Sequence, residues 1–221
     1  MHREEWISLA QPSHISIEEK KSVFIADAAP ISSAGNAEDF LCEIKKKYPD
    51  AKHHVYAWRV GVDEILQRYS DDGEPAGTAG IPVLDAMRRN QIDDAIVVVT
   101  RYFGGILLGT GGLSRAYAKA AALALSGAGP SVYRTCELHH ITIGYSQLDR
   151  LRFLLKKADY VTEEPLYGAE PVLPVYCRIG QKDDMIRICL DATAGRADIA
   201  YIDTRTVQAG RMGEMNIESE E

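Results

Sequence analysis

The chain has 221 residues, of which 46% are hydrophobic and 26% charged, and its formal net charge at pH 7 is −7. This length suits one large or two small domains, and the balance is that of an ordinary globular protein. The acidic excess argues against a protein that coats nucleic acid non-specifically, although it leaves room for a local basic patch. No run of about 18 apolar residues is present and the N-terminus has no apolar signal region, so we expect no membrane partner.

The cysteine pattern indicates a reducing compartment. The four cysteines are widely spaced and form no CxxC pair, which is typical of reduced thiols in a cytoplasmic protein. We expect no cofactor, and the composition leaves the oligomeric state open. The four residues are Cys42, Cys136, Cys177 and Cys189.

The first half of the chain predicts strands that alternate with helices. Hydrophobic patterning places strands at 16–29, 53–60, 65–69 (weakly) and 95–100, and helices at 37–48, 81–90 and 113–126. A turn-rich acidic stretch occupies residues 70–80. Small, uncharged residues at 126–130 then indicate a domain boundary, so we expect domains at 1–130 and 131–221.

The second half has a different rhythm. Strands are predicted at 135–144, 160–167, 171–179 and 199–208, with helices at 146–158 and 182–192. This β-α-β-β-α-β order is the ferredoxin-like split βαβ motif. Glutamates near the C-terminus predict a solvated acidic tail. The predicted fold class is therefore α+β.

A buried strand leads directly into a glycine-rich loop and a helix in the middle of the chain. Residues 95–100 form an unbroken β-branched run, which predicts a strand buried on both faces. Backbone N–H groups in such a loop can converge on an anion, or the glycines can serve a tight turn and close packing. Both interpretations stay open for the glycines of this loop, which are Gly104, Gly105, Gly109, Gly111 and Gly112.

Three carboxylates lie close together in the acidic stretch, at Asp71, Asp72 and Glu74, shortly before Thr78. They would repel one another unless a cation or hydrogen-bond donors neutralise them. The sequence allows three solutions: a divalent metal shared with a nearby histidine, an ion pair with Arg101, or an acidic surface turn.

Cations and an aromatic ring surround the glycine-rich loop. Arg115 and Lys119 lie four residues apart and project from one face of a helix. Together with Arg101 they could bind phosphates, while Tyr102 could stack on a base. The alternative is that the ring belongs to the core. A nucleophilic triad has no support, since Ser114 lacks the G-x-S-x-G frame.

Two stretches carry a resemblance to a known family. Residues 71–79 (DDGEPAGTA) and 101–117 (RYFGGILLGTGGLSRAY) resemble the IMPACT/YigZ family, in its bacterial two-domain form. The resemblance implies a first domain like domain 2 of ribosomal protein S5 and a ferredoxin-like second domain similar to domain V of elongation factor G. Its eukaryotic members regulate translation by competing for the activator of a kinase, and nucleic-acid or ribosome binding is the usual suggestion for its bacterial members. The family pattern falls on Asp71, Gly73, Glu74, Pro75, Gly77, Thr78, Arg101, Gly104, Gly105, Gly109, Gly112, Arg115 and Tyr117.

The favoured hypothesis is a translation-linked binding protein without enzymatic activity, which recognises RNA or a ribosome-associated partner through the groove between these two stretches. A second hypothesis is a nucleotide- or metal-dependent enzyme, in which the glycine-rich loop binds phosphate and the acidic stretch holds a divalent ion. It draws on a short, loose similarity of residues 109–114 to the phosphate loop of the galactokinase, homoserine kinase and mevalonate kinase superfamily. A third is a protein-interaction module that regulates translation.

Overall fold

A computed structural model describes residues 3–61 and 64–211, and the acidic tail predicted at the C-terminus lies beyond them. The chain divides into two compact units. The N-terminal unit is Trp6–Val132, and the C-terminal unit combines residues 3–5 with Tyr133–Ala209. Helices and largely antiparallel sheets occur in both, which confirms the predicted α+β class.

Strand β6 lies at the centre of the sheet of the N-terminal unit. The elements in chain order are β1 (Glu5–Leu9), β2 (Ser13–Glu19), β3 (Ser22–Pro30), α1 (Ala34–Lys47), β4 (His53–Val60), β5 (Leu66–Ser70), α2 (Gly80–Arg89), β6 (Ala95–Tyr102) and α3 (Thr110–Gly127). The sheet has the order β2-β3-β6-β4-β5, and each strand is antiparallel to its neighbours.

The central strand is buried on both faces, as its sequence predicts. Val97 and Val99 belong to a core cluster with residues of α2 and α3. Ile96 and Val98 point the other way and pack with residues of α1. Because side chains alternate along a strand, one unbroken apolar run supplies both cores. Because packing on both faces holds β6 in place, the loop that follows it starts from a fixed position.

The long first strand predicted at 16–29 is wrong. The segment is a hairpin in which β2 and β3 pair antiparallel and Glu19 faces Ser22. Lys20 and Lys21 form the turn, with φ of 48° and 64°. Left-handed residues suit a two-residue hairpin turn, but lysines lack the usual glycine or asparagine signal.

The C-terminal unit begins its regular structure with a long strand. Its elements are β7 (Pro130–Thr142), α4 (Tyr145–Lys157), β8 (Val161–Thr162), β9 (Val172–Arg178), α5 (Lys182–Thr193) and β10 (Asp198–Arg211). Strand β7 pairs with β9 and β10, and β9 pairs with β8. Leu151 and Leu155 of α4 pack with Met185 of α5 and Val175 of β9 in one apolar core.

One further predicted strand is too long, and one strand of the structure was not predicted. The strand expected at 160–167 shortens to Val161–Thr162, followed by an isolated bridge between Leu166 and Val172. Pro165 has no N–H to donate, so a continuous ladder cannot pass through it. Strand β1 was not predicted, because only two of its five residues are buried and its apolar pattern is short.

Because the units have separate apolar cores, we expect a core truncation in one unit to loosen that unit first. Leu151→Ala removes a fully buried side chain of the C-terminal unit and should lower the free energy of unfolding by about 2–5 kcal/mol. Hydrogen exchange followed by mass spectrometry should show faster exchange within residues 133–209 than within 6–132. Leu107→Ala, at a residue that is 82% exposed, is the control and should leave both rates unchanged.

Candidate functional site

Two surface segments of the N-terminal unit correspond to the unusual stretches of the sequence. The acidic loop, residues 71–79, connects β5 to α2, and the glycine loop, residues 103–109, connects β6 to α3. Each loop therefore leads into the N-terminus of a helix. The side chains within them decide whether they form a ligand site or a structural joint.

Asp71 closes the N-terminus of helix α2. Its carboxylate accepts hydrogen bonds from the backbone N–H groups of Gly77, Ala79 and Gly80, at 2.8, 3.0 and 2.8 Å. These are donors that a helix start leaves without partners, and a negative charge there is stabilised by the helix dipole. The Asp71 charge is thus used within the loop.

Asp72 ties the acidic loop to strand β4. It has a φ of 41°, and its carboxylate accepts the N–H of His54 at 2.6 Å. Its carbonyl oxygen lies 2.8 Å from His53 Nδ1, the donor of that contact. Thr78, which is buried, donates its hydroxyl to the Pro75 carbonyl at 2.7 Å. These bonds fix the loop, and the histidines and Asp72 are engaged with one another.

Glu74 points into the protein and joins the acidic loop to strand β6 and helix α3. Its Oε1 accepts a hydrogen bond from Arg101 Nη1 at 2.7 Å and another from the Tyr117 hydroxyl at 2.7 Å. The side chains of Glu74 and Arg101 are only 4% and 8% exposed. Of the three arrangements that the sequence allowed for the acidic stretch, the structure shows the ion pair with Arg101 for Glu74. Asp71 and Asp72 instead accept backbone N–H groups, as in the acidic turn.

Aromatic rings enclose the Arg101 guanidinium. Its central carbon lies 5.5 Å from the ring centroids of both Phe24 and Phe103, and Tyr117 packs edge-on against Phe24 at 5.1 Å. Burial, reinforced by the Glu74 charge, raises the pKa of Tyr117 far above its usual range. We expected Arg101 to bind phosphate, but the structure places its guanidinium in the interior, where Glu74 neutralises it.

The other expected ligand groups differ in how free they are. The Tyr102 hydroxyl donates to Asp50 at 2.8 Å, and Lys119 donates to Glu19 at 2.8 Å. Arg115 is exposed and, among the residues that the structure describes, has no hydrogen-bond or ion-pair partner. Of the four side chains expected to contact an anion or a base, Arg115 alone is both exposed and unpaired.

Close packing explains the first glycine of the glycine loop. A Cβ on Gly104 would lie 2.0 Å from the backbone carbonyl of Lys21, so no larger residue fits, and its N–H donates to Ser22 Oγ at 3.2 Å. Gly109 precedes α3 with a φ of 72°, which favours glycine. The remaining predicted glycines lie within the loop (Gly105) or in the first turn of α3 (Gly111 and Gly112).

The outward surface of the glycine loop is apolar, a feature that sequence reasoning missed. Phe103, Ile106 and Leu107 are 56%, 43% and 82% exposed, and we call them the apolar tip. The exposed residues of the acidic loop are small and uncharged, namely Gly73, Pro75, Ala76 and Gly77. The sequence contained one signal for this surface: an apolar run that lies between two glycines and outside any strand or helix. The charged residues of the acidic loop are bonded within the protein, and three apolar residues of the glycine loop face solvent.

Two features of other protein classes are missing from residues 3–61 and 64–211. This part of the chain contains no group of three or more His, Cys, Asp or Glu side chains placed to hold a metal ion. Nor does it contain a helix with the length and apolar character needed to cross a membrane.

Comparison with known proteins identifies the family. The model of the Impact N-terminal domain matches residues 20–125. The IMPACT family member YvyE of Bacillus subtilis is 32% identical over 180 residues, which cover 81% of this chain and 83% of that protein. The chain belongs to the IMPACT family. YigZ of Escherichia coli, another member, is 44% identical over 116 residues, or 52% of this chain and 57% of that protein.

Two solved structures are similar to this chain. A crystal structure of a hypothetical protein is 33% identical, with a TM-score of 0.59, and the match covers 90% of this chain and 98% of that one. The two-domain translational regulator Yih1 is 28% identical over 53% of this chain and 46% of that one, with a TM-score of 0.34. The first of these shows that the fold of the IMPACT chain is shared over nearly its whole length.

Removing one partner of the buried ion pair should destabilise the protein strongly. Arg101→Met keeps an apolar side chain but leaves the Glu74 carboxylate buried without its counter-charge, so we expect the free energy of unfolding to fall by about 3–5 kcal/mol. Urea denaturation measures this loss. The double variant Arg101→Met/Glu74→Leu removes both charges and should recover much of it.

The exposed pair of Lys119 and Glu19 provides the control for this series. Lys119→Ala should change the urea midpoint little, because solvent screens an exposed ion pair. A double variant at positions 101 and 74 that loses the sum of both single effects would contradict a buried, coupled pair.

The raised pKa of Tyr117 predicts a specific pH dependence. Below about pH 10, the ordinary pKa of tyrosine, the Tyr117 hydroxyl is protonated in both the folded and the unfolded state. Its hydrogen bond to Glu74 then makes its full contribution to the free energy of unfolding. Above that pH the unfolded state loses the proton while the folded state retains it, so the free energy of unfolding falls. The Tyr117→Phe variant has no hydroxyl here, so its free energy of unfolding lacks this pH dependence. The stability difference between the natural protein and this variant should therefore narrow in denaturation curves taken above pH 10, and a constant difference would contradict the assignment.

Proposed function

We propose that the protein is a translation-linked docking protein without enzymatic activity, and that a protein partner binds the surface formed by the apolar tip. The observation that carries this proposal is the exposure of Phe103, Ile106 and Leu107 in the loop that leads into α3, the helix that carries the exposed Arg115. Exposed apolar side chains that lie close together in a loop are typical of protein interaction sites. An unpaired arginine nearby suits a partner that presents a carboxylate to it.

The disposition of charge favours a protein over RNA at this surface. RNA binding depends on several cations that neutralise phosphates. Of the three cations expected to bind phosphates, Arg101 is neutralised by Glu74 and Lys119 is paired with Glu19, which leaves Arg115. The carboxylates that an enzyme would use for a metal are likewise bonded, since Asp71 binds backbone N–H groups and Glu74 binds Arg101. The glycine loop therefore supports docking better than phosphate binding or catalysis.

The link to translation and the names of the two domains come from the family resemblance. We propose that the N-terminal unit is a domain like domain 2 of ribosomal protein S5 and that the C-terminal unit is ferredoxin-like. The strand order β10-β7-β9-β8 and the βαββαβ chain order support the second name. All four cysteines are unpaired, which supports a reducing compartment such as the cytoplasm.

Site-specific photo-crosslinking in the native host tests this proposal. A photoreactive phenylalanine analogue placed at position 107 should form adducts with a ribosomal protein or a translation factor, identified by mass spectrometry. The same analogue at Leu123, which is 42% exposed on α3 of the same unit, is the matched control and should not form them. Adding Ile106→Asp to the probe at position 107 should abolish the adducts, because a charge disrupts the apolar contact.

Two results would overturn the proposal. One is an adduct with RNA at position 107, which would restore the phosphate-binding hypothesis for this loop. The other is the same set of adducts at positions 107 and 123. If a partner is found, its affinity for purified protein should fall at least tenfold with Ile106→Asp, which corresponds to about 1.4 kcal/mol.

A further inference from the structure

One face of helix α4 in the C-terminal unit is exposed and basic, although the whole chain carries a net charge of −7. It contains Arg150, Phe153, Lys156 and Lys157, all exposed, and we call these residues the basic face. One exposed carboxylate, Asp149, lies on the same side of the helix, seven residues before Lys156. Residues three and seven positions apart lie on one side of a helix, so Arg150, Phe153 and Lys157 form a row. The opposite side of α4, with Leu148, Leu151 and Leu155, is buried in the core.

The acidic side chains that follow this helix are already engaged by other residues. Glu163 accepts the Tyr176 hydroxyl, and Glu164 pairs with Arg152. Asp159, two residues after the end of α4, pairs with Arg178. The charges of Glu164 and Asp159 are therefore balanced by arginines, whereas the partner of Glu163 is a neutral hydroxyl.

The cations of the basic face are themselves unpaired. In the described part of the chain, Arg150, Lys156 and Lys157 have no hydrogen-bond or ion-pair partner. Lys156 and Lys157 stand in the last turn of α4, where the helix dipole favours positive charge. The helix dipole does not explain the exposed positive charge of Arg150, which lies outside the last turn of α4. Nor does it explain why the aromatic ring of Phe153 is 66% exposed.

A cavity adjoins the exposed ring. It has a volume of about 340 Å³ and is lined by Arg152, Phe153, Lys156, Tyr160 and Thr162. This volume is within the range of small-molecule sites. The Phe153 ring, the unpaired cation Lys156 and Thr162 border this concave surface, together with Arg152, which is paired with Glu164. The combination matches the parts of a nucleotide: a flat base and a charged phosphate.

We propose that the basic face and its cavity bind single-stranded RNA, with a base stacked on Phe153 and neighbouring phosphates bound by Arg150, Lys156 and Lys157. Proteins that bind single strands combine a basic surface with aromatic stacking in this way. A lipid surface fits less well, because the apolar side of α4 is occupied by the core and cannot enter a membrane. This proposal stands on residues of the C-terminal unit and does not depend on the proposed function.

Fluorescence anisotropy with a short labelled oligo-uridylate tests the charge component. Lys156→Glu/Lys157→Glu should weaken binding at least tenfold at low salt and reduce the slope of log K against log salt by about 1 to 2, since each lysine releases about one counterion. Lys45→Glu/Lys46→Glu is the matched control. It makes the same charge change in the last turn of α1, where both lysines are also exposed, and should leave binding nearly unchanged.

A second variant tests stacking separately. Phe153→Leu keeps an apolar side chain and the charge but removes the ring, so we expect about a tenfold loss of affinity with an unchanged salt slope. Both changes are on the surface, and circular dichroism melting should confirm that the variants fold. The proposal fails if no binding occurs at low salt, if both double variants weaken binding equally, or if Phe153→Leu binds as well as the natural protein.

Discussion

The buried contact of Glu74 with Arg101 and Tyr117 holds the acidic loop of the N-terminal unit in place. Placing a carboxylate and a guanidinium away from water is costly unless the two pair closely and find further hydrogen bonds. Here one oxygen accepts two donors at 2.7 Å, and aromatic rings enclose the cation. The three residues come from the acidic loop, strand β6 and helix α3. Their contact therefore fixes the acidic loop against the central strand and helix α3.

This inward use of charge changes how the sequence motifs should be interpreted. The acidic and basic residues of the two motifs suggest a ligand site, yet Asp71 supports the start of α2, Asp72 binds strand β4 and Glu74 neutralises Arg101. Such residues preserve the shape of the loops. The surface that this framework presents is the apolar tip, whose side chains form no part of the buried network apart from the Phe103 ring beside Arg101. A rigid base with an apolar projection is the form expected of a docking site.

Local patterns predicted what depends on local physics. The doubly buried strand at residues 95–100 follows from its unbroken apolar run, and helix α4 follows from its leucine spacing. The Glu74 contacts span 27 and 43 residues, so no local pattern could select them from the three arrangements considered. The hairpin turn at Lys20 and Lys21 could not be predicted for another reason. Both lysines have left-handed backbone angles, which the pairing of β2 with β3 stabilises and which lysine does not itself prefer.

Net charge is a weak guide to what this chain binds, because charge acts over a limited range. At physiological ionic strength exposed charges farther apart than about 8 Å are largely screened. A ligand at helix α4 therefore responds to Arg150, Lys156 and Lys157 far more than to distant carboxylates. The nearby acids Glu163 and Glu164 are bonded to Tyr176 and Arg152. An acidic protein can thus carry a surface that attracts an anion, and such a surface gives selectivity, since the remaining surface repels the same anion.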